Sequence, residues 1–201
     1  MSVTHVTGVM LAGGQSRRMG QNKALMTFQG QRLIDRVVEV LQRVFTQCLM
    51  VTNTPELYTE LALPMVPDVF PDKGSLGGIY SAIYHAPTSH CLVVACDMPF
   101  LNVALLRYLV DHIQDYDVVV PDMHNELQPL HAIYSKACLQ PIAQRLAADR
   151  LKIVGFFPDV RVRTVTAEEV QTFDPEGLSF ENLNTPEEFH AATQRQQVHG
   201  S

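Results

Sequence analysis

The sequence has no apolar run long enough to cross a membrane, where a spanning helix needs about 20 residues. Residues 1–7 also lack the basic start and apolar stretch of a secretory signal. Cysteines and histidines are scattered, with neither a Cys-x-x-Cys pair nor the Cys/His spacing of a zinc site. We therefore expect a soluble protein with reduced thiols in the cytoplasm, without a membrane partner.

Positive charge is also in short supply. Lysine and arginine number 15 against 21 acidic residues, which gives a net charge of −6. This balance argues against non-specific binding to nucleic acid or to an anionic membrane. The chain contains no internal repeat, and its 201 residues suffice for one well-buried domain. We expect that domain to cover residues 1–193 and residues 194–201 to form a polar, frayed tail.

Short apolar runs alternate with amphipathic stretches, which predicts a three-layer α/β sandwich with a mostly parallel sheet. The apolar runs lack strict alternation, as expected for strands covered on both faces. The predicted strands are residues 6–11, 48–52, 91–95 and 117–121, and the predicted helices are residues 33–45, 76–85 and 103–113.

The most informative segment, residues 9–23, follows the first predicted strand and reads VMLAGGQSRRMGQNK. Its glycines let backbone N–H groups approach a polyphosphate closely, because no Cβ atom intervenes. Arg17, Arg18 and Lys23 supply the positive charge that such an anion needs. The spacing fits neither the P-loop nor the dinucleotide-binding fingerprint. The segment is therefore either a nucleoside triphosphate loop of another kind or an ordinary glycine-rich turn.

The longer pattern LAGGxSxRMGxxK resembles the activated-nucleotide loop of the nucleotidyltransferases, and within them the molybdenum cofactor guanylyltransferases. The resemblance implies a Rossmann-like nucleotidyltransferase fold. It also implies transfer of GMP from GTP to molybdopterin, or to molybdenum-molybdopterin, with release of pyrophosphate. Mg²⁺ is the implied cofactor, and proteins that deliver the acceptor or receive the product are implied partners. The implied GTP contacts are Leu11, Ala12, Gly13, Gly14, Lys23, Asn53, Asp68, Gly78 and Asp97.

A second motif, CDMPFL at residues 96–101, places Asp97 at the end of a buried strand. An acidic residue there is suited to Mg²⁺, which takes one or two carboxylates together with substrate phosphates. Alternatively, Asp97 closes a turn before the helix that begins near Val103. The resemblance favours the metal role. Lys23 with Arg17 or Arg18 would then neutralise charge on the departing pyrophosphate.

A third glycine-containing segment, residues 67–79, leads into a helix whose N-terminal N–H groups could contact a phosphate or a base. The similar enzymes usually have proline where this chain has Ser75, which leaves the shape of the loop open. Asp68 matches a nucleotide-contacting aspartate of the family, and Asn53 matches its asparagine after the second strand. Asp72 and Lys73 are expected to be exposed turn residues.

The C-terminal half resembles the family more loosely. His131, in a predicted strand region at residues 127–134, is expected to be a strand residue with its hydrogen bonds satisfied rather than a catalytic base. Arg150 and Lys152 either bind an anionic acceptor or belong to a solvated face.

Residues 180–188 precede a predicted final helix, with Thr185 as its N-cap. In an extended segment the spacing of Asn182 and Asn184 points both side chains to one face. The resemblance implies acceptor or metal contacts for this pair.

Other functions remain open at this point. Cytidylyltransferases of the same fold typically have alanine where this chain has Gly13, and the missing methyl group leaves room for a purine. Sugar-1-phosphate nucleotidyltransferases are a further alternative, usually with longer chains and a different lysine spacing. A GTP-binding partner without transfer activity would need neither Asp97 nor Lys23, and a structural protein leaves the first loop unexplained.

Overall fold

The computed structural model describes residues 2–13, 25, 27–28, 30–182, 185, 187–188, 191 and 194. Strands and helices alternate through most of this range. The strands are β1 (Val3–Leu11), β2 (Thr27–Phe28), β3 (Gln31–Arg32), β4 (Phe45–Val51), β5 (Met65–Val66), β6 (His90–Ala95), β7 (Val118–Met123), β8 (Glu126–Leu127), β9 (His131–Ser135) and β10 (Val162–Val165). The α-helices are α1 (Leu33–Val44), α2 (Gly74–His85), α3 (Val103–Asp111), α4 (Leu139–Ala147) and α5 (Ala167–Gln171).

Within the described residues, eight strands form one sheet in the order β10-β7-β9-β6-β1-β4-β5, with β8 beside β7. The pairs β1–β4, β1–β6, β4–β5 and β7–β10 are parallel. Strand β9 runs antiparallel between β6 and β7, and β8 is antiparallel to β7. Strand β1 lies in the interior of the sheet, where both neighbours run in its own direction. Its predominantly apolar composition agrees with burial on both faces.

Helices cover both faces of the sheet, as the alternating pattern requires. One apolar core contains the inner residues of α1, α3 and α5, among them Leu41, Leu105 and Val170. The other contains those of α2 and α4, among them Ile79 and Ile142. The structure is therefore a three-layer α/β sandwich with a mixed, mostly parallel sheet, which confirms the predicted fold class.

The predicted element boundaries differ from the observed ones in informative places. The first helix ends at Val44, and Phe45 begins β4 instead of ending the helix. Phe45 is nevertheless buried in the same core as α1, so its apolar character fitted the helical stripe equally well. Strand β7 extends to Met123, beyond the predicted end at Pro121, and its carboxyl end pairs with β8.

The four cysteines all carry free thiols, as expected. Burial raises the pKa of each of them, to about 11 for Cys48 and to about 12 for Cys96 and Cys138. In the part of the chain that the structure describes, no helix is both long enough and apolar enough to cross a membrane.

Candidate active site

The carboxyl ends of β1, β4, β5, β6 and β7 meet at one edge, called here the carboxyl edge of the sheet. Backbone hydrogen bonds continue the pairing past the strand ends. The Ala12 N–H donates to the Val51 carbonyl (3.0 Å), and the Cys96 N–H donates to the Leu11 carbonyl (3.2 Å). The first loop and the turn at residues 96–97 therefore leave the sheet side by side. Ligands of α/β sheets bind at this edge.

Leu11, Ala12 and Gly13, which are predicted GTP contacts, lie at the end of β1, and the predicted contact Gly78 packs against Leu11. Helix α2 packs closely against β1 at Gly78. A Cβ atom on Gly78 would lie only 3.1 Å from the Leu11 side chain. Gly13 is different, since a Cβ atom there would have no neighbour within 4 Å among the described residues. Its exposed position leaves open space at the carboxyl edge, whereas Gly78 brings helix and strand into contact.

Asn53 and Asp68 contact each other directly, as two adjacent strand ends bring them together. The Asn53 amide Nδ2 donates to Asp68 Oδ2 (3.1 Å), and the Asp68 backbone N–H donates to Asn53 Oδ1 (2.9 Å). Both polar ends of the Asn53 side chain are thus engaged by one partner. Asn53 therefore fixes the orientation of Asp68, a positioning role that the sequence did not indicate.

Helix α2 also holds the Asp68 carboxylate, through Ser81. The buried Ser81 hydroxyl lies 3.1 Å from Asp68 Oδ1 and 2.8 Å from the Gly77 carbonyl, and it accepts the Val69 N–H at 2.9 Å. Burial raises the pKa of Asp68, and the bonds from Ser81 and Asn53 only partly offset that effect. The carboxylate is held firmly in place next to open solvent.

Asp97 lies in the turn directly after β6 and is half-buried. Among the described residues, no group of three histidine, cysteine or acidic side chains is arranged to hold a metal ion. A single carboxylate at a strand end matches Mg²⁺ sites that substrate phosphates complete. The described residues at this turn therefore offer one carboxylate to a divalent metal that phosphates would also bind, and they form no structural zinc site.

The turn containing Asp97 leads into α3 through Asn102, which ties it to residues 173–179. Asn102 Oδ1 accepts the first free N–H groups of α3, and its Nδ2 donates to the Phe173 carbonyl (2.7 Å). The Asn102 backbone N–H donates to the Ser179 hydroxyl (3.1 Å), which itself donates to the Phe100 carbonyl (3.2 Å). These bonds hold the segment before Asn182 against the carboxyl edge.

His131 begins β9 and pairs with Val94 of β6, so it also lies at the carboxyl edge. It is a strand residue, as predicted, but the expectation of satisfied hydrogen bonds is wrong. Its side chain is fully buried, and neither ring nitrogen has a hydrogen-bond partner within the described residues. Burial lowers the pKa of His131 to about 4, so the ring is neutral at physiological pH.

Arg150 and Lys152 are exposed in the loop after α4. The neighbouring Asp149 pairs with Lys73, just before α2, at 2.9 Å. The loop after α4 therefore lies beside the N-terminus of α2 at the carboxyl edge. Asp72 is an exposed turn residue as predicted, with a φ of 63°, while Lys73 takes part in this ion pair.

Several predicted site residues lie outside the described residues: Gly14, Arg17, Arg18, Lys23 and Asn184. Asn182 is exposed, at the end of the segment that Ser179 holds. Thr185 does act as an N-cap, because its hydroxyl accepts the Glu188 N–H (3.2 Å) and Glu188 in turn accepts the Thr185 N–H (3.3 Å).

Asp122 is a candidate site residue that the sequence analysis missed. It lies near the carboxyl end of β7, and its Oδ1 atom is buried without a partner among the described residues. A polar residue directly after the apolar run 118–121 is the same signal that singled out Asp97. It was overlooked because no recognisable motif surrounds it.

Comparison with known proteins agrees with this geometry. Residues 8–156 match the family model of the MobA-like NTP transferase domain. A protein of Pelotomaculum thermopropionicum named "Probable molybdenum cofactor guanylyltransferase" is 43% identical over 180 residues, covering 90% of this chain and 88% of that protein. The molybdenum cofactor guanylyltransferase of Desulfosudis oleivorans is 38% identical, with 93% and 94% of the two chains covered.

Among solved structures, the molybdopterin-guanine dinucleotide biosynthesis protein A of Archaeoglobus fulgidus superposes with a TM-score of 0.82. The identity is 26%, and the match covers 96% of this chain and 100% of that one. The strand-end site and these similarities lead to the same conclusion. The chain belongs to the MobA-like NTP transferase family, among the molybdenum cofactor guanylyltransferases.

Proposed function

We propose that this protein transfers GMP from GTP to the terminal phosphate of molybdopterin, with or without bound molybdenum, in the cytoplasm. The observation that carries the proposal is the convergence of Gly13, the Asn53–Asp68 pair and Asp97 on one edge of the sheet. The names of the relatives supply the nucleotide and the acceptor. Proteins that deliver molybdopterin or receive the product are the expected partners.

The reaction is an in-line displacement at the α-phosphorus of GTP. An oxygen of the acceptor phosphate forms a bond to that phosphorus, and the bond from the α-phosphorus to the bridging oxygen of the leaving pyrophosphate breaks. No covalent enzyme intermediate is required. The protein therefore contributes positioning and charge stabilisation.

The charged groups have distinct roles in this scheme. Asp97 is the residue that would hold Mg²⁺, which supplies charge neutralisation at the phosphates when bound. Lys23, with Arg17 or Arg18, balances the negative charge that develops on pyrophosphate. Arg150, Lys152, Asn182 and Asn184 are the proposed acceptor contacts.

The neutral part of the site selects and orients the nucleotide. The open space beside Gly13 accommodates the guanine base, and the backbone N–H groups from residue 12 to residue 14 bind base or phosphate. Asp68, oriented by Asn53 and Ser81, supplies a fixed acceptor for the nucleoside. Because these groups are already hydrogen-bonded to the protein, little reorganisation is needed when GTP binds.

Calorimetric titration of the purified protein with GTP, CTP, ATP and UTP in the presence of Mg²⁺ is the first test. We expect a clear preference for GTP. A preference for CTP would assign the protein to the cytidylyltransferases with the same fold and site, and absence of nucleotide binding would refute the proposed site.

The second test follows release of pyrophosphate and formation of the dinucleotide product from GTP and molybdopterin. Asp97→Asn and Lys23→Ala should each lower kcat by about 10²–10³, as expected for loss of one preorganised charged group. Asp72→Asn is the matched control, because Asp72 is an exposed turn residue of the neighbouring loop. Near-wild-type transfer by both site variants at saturating GTP would contradict the assigned roles.

A further inference from the structure

The ring of His131 is the most unusual polar group near the site. It lies where β9 meets the end of β6, paired with Val94 and close in register to the turn containing Asp97. The side chain is fully buried, and neither Nδ1 nor Nε2 has a hydrogen-bond partner within the described residues. A neutral imidazole carries one donor and one acceptor, and burying both unpaired lowers the stability of the fold.

The cover over this ring comes from the segment that leads to Asn182. The Phe180 ring contacts the imidazole edge-on, with the ring centroids 4.8 Å apart. The Ser179 backbone is also close enough to raise the pKa of His131, although burial outweighs that effect. Hydrogen-bonding geometry between the two is nevertheless not reached, since neither ring nitrogen is paired with any residue that the structure describes.

Ser179 connects this cover to the catalytic turn. Its hydroxyl bridges the Asn102 N–H and the Phe100 carbonyl, both in the stretch between Asp97 and α3. The Asp174 carboxylate accepts the backbone N–H groups of Leu178 and Ser179 at 3.1 and 2.8 Å. These bonds fix Ser179, and with it the start of the segment that leads to Asn182, relative to the turn that contains Asp97.

We infer that His131 is a positioning residue of the proposed transfer reaction. When the acceptor binds, the ring N–H of His131 donates a hydrogen bond to the Ser179 carbonyl, which draws residues 179–182 onto the acceptor phosphate beside Asp97. In the free protein the ring N–H has no partner among the described residues, and this lowers stability until the bond forms in the complex. This inference rests on the proposed function and adds a residue that positions the protein segment in contact with the acceptor.

His131→Leu tests the inference, since leucine fills the site without an unpaired polar atom. We expect a melting temperature equal to the wild type or a few degrees higher. We also expect kcat/KM for molybdopterin to fall by about 10- to 100-fold, as for a misplaced substrate contact. The Kd for GTP should not change, because GTP binds to the other elements of the site. His131→Gln, which keeps a donor and an acceptor, should restore kcat/KM to within about threefold of the wild type.

Tyr134→Phe is the matched control on the same strand. Its buried hydroxyl donates to the Pro129 carbonyl at 2.6 Å, so this variant should lose stability and keep its acceptor kinetics. We therefore expect His131→Leu to lose acceptor kinetics without losing stability, and Tyr134→Phe to lose stability without losing acceptor kinetics. A merely structural histidine would behave like Tyr134.

Amide hydrogen exchange provides a readout that does not need turnover. Residues 180–182 should gain protection when molybdopterin is added to wild-type protein with GTP, and His131→Leu should lose that gain. Unchanged acceptor kinetics in His131→Leu would overturn the inference, as would a parallel loss of GTP affinity or of stability. If wild-type protein binds no GTP or transfers no GMP, the proposed function itself fails, and that outcome is separate from these.

Discussion

Gly8, in β1, and Gly13, in the loop that follows β1, both lack a Cβ atom, but the surroundings of the two positions differ. A Cβ atom on Gly8 would lie 2.8 Å from the ring of Phe45, which is almost completely buried. A Cβ atom on Gly13 would contact none of the residues that the structure describes within 4 Å. The first glycine is required for packing, whereas the second is proposed to leave space for the nucleotide.

Gly13→Ala should therefore weaken GTP binding without changing the stability of the fold. A methyl group in a base-binding space costs about 1–3 kcal/mol, which corresponds to a roughly 10- to 200-fold higher Kd for GTP. Calorimetric titration and thermal denaturation of the same preparation measure both quantities.

Gly8→Ala is the contrasting variant for that experiment. It should lower the melting temperature because the almost completely buried ring of Phe45 would have to shift to admit the methyl group. Wild-type GTP affinity in Gly13→Ala would show that the base binds elsewhere.

The sequence located Asp97, Asp68 and Asn53 because each follows an apolar run, and parallel strands bring such positions to one edge. It did not reveal that both the amide nitrogen and the amide oxygen of Asn53 hydrogen-bond to Asp68, since these contacts depend on the register between β4 and β5. It also misjudged His131. The burial of that ring depends on Phe180, from a distant part of the chain, and no local pattern reports such a contact.

At the scale of elements, the short helix α5 is held by one carboxylate. Glu169 accepts the Thr166 N–H (2.8 Å) in a capping box, and it also accepts the Tyr108 hydroxyl of α3 (2.6 Å). Arg163 of β10 forms an ion pair with it at 2.5 Å. Burial raises the pKa of Glu169, but these bonds and the charge of Arg163 outweigh it, and the pKa is about 2.

This network predicts a definite pH dependence of stability. A carboxylate whose pKa is lowered by folding stabilises the protein above its unfolded pKa, near 4.5, and loses that contribution as the pH falls towards about 2. Glu169→Gln should therefore cost about 1–2 kcal/mol at neutral pH. The difference between wild type and variant should shrink over this window.

Urea denaturation at a series of pH values measures the difference directly. Other carboxylates titrate in the same range, so only the gap between the two proteins is informative. A gap that stays constant from neutral pH to pH 2 would mean that Glu169 contributes nothing as an anion.

The elements themselves were largely predictable, and the exceptions have physical causes. Helical periodicity identified α1 and α3 because their buried residues form one stripe. Phe45 was assigned to the helix because an apolar residue at a helix end fits a strand start equally well. The antiparallel insertion of β9 between β6 and β7 could not be read from sequence, because strand direction depends on long-range pairing.

At the scale of the whole molecule, the cysteines are distributed over β4, β6, the turn after β6 and the start of α4, and each thiol has a raised pKa. The thiolate is the reactive form, and each pKa unit lowers its fraction tenfold. The native protein should therefore react with an aromatic disulfide reagent about 100-fold more slowly than the unfolded chain.

Cys48 has the smallest shift, to about 11, and should be the first thiol to react. Replacing it by serine should remove the first phase of the time course and leave the later phases unchanged. A thiol that reacts as fast in native protein as in urea would contradict the burial of that region. The assay thus reports separately on the burial of each region that contains a cysteine.

The bonds of Ser179 have a consequence for how the protein is made. Asn102 and Ser179 are separated by 77 positions along the chain, yet they meet beside the turn after β6. On the ribosome, the turn that carries Asp97 therefore emerges well before the residues that hold it. The central strands can pair during synthesis, but the proposed active site is complete only after Ser179 has been synthesised. The proposed site is thus completed late in translation, and we expect an interrupted nascent chain to form much of the sheet without it.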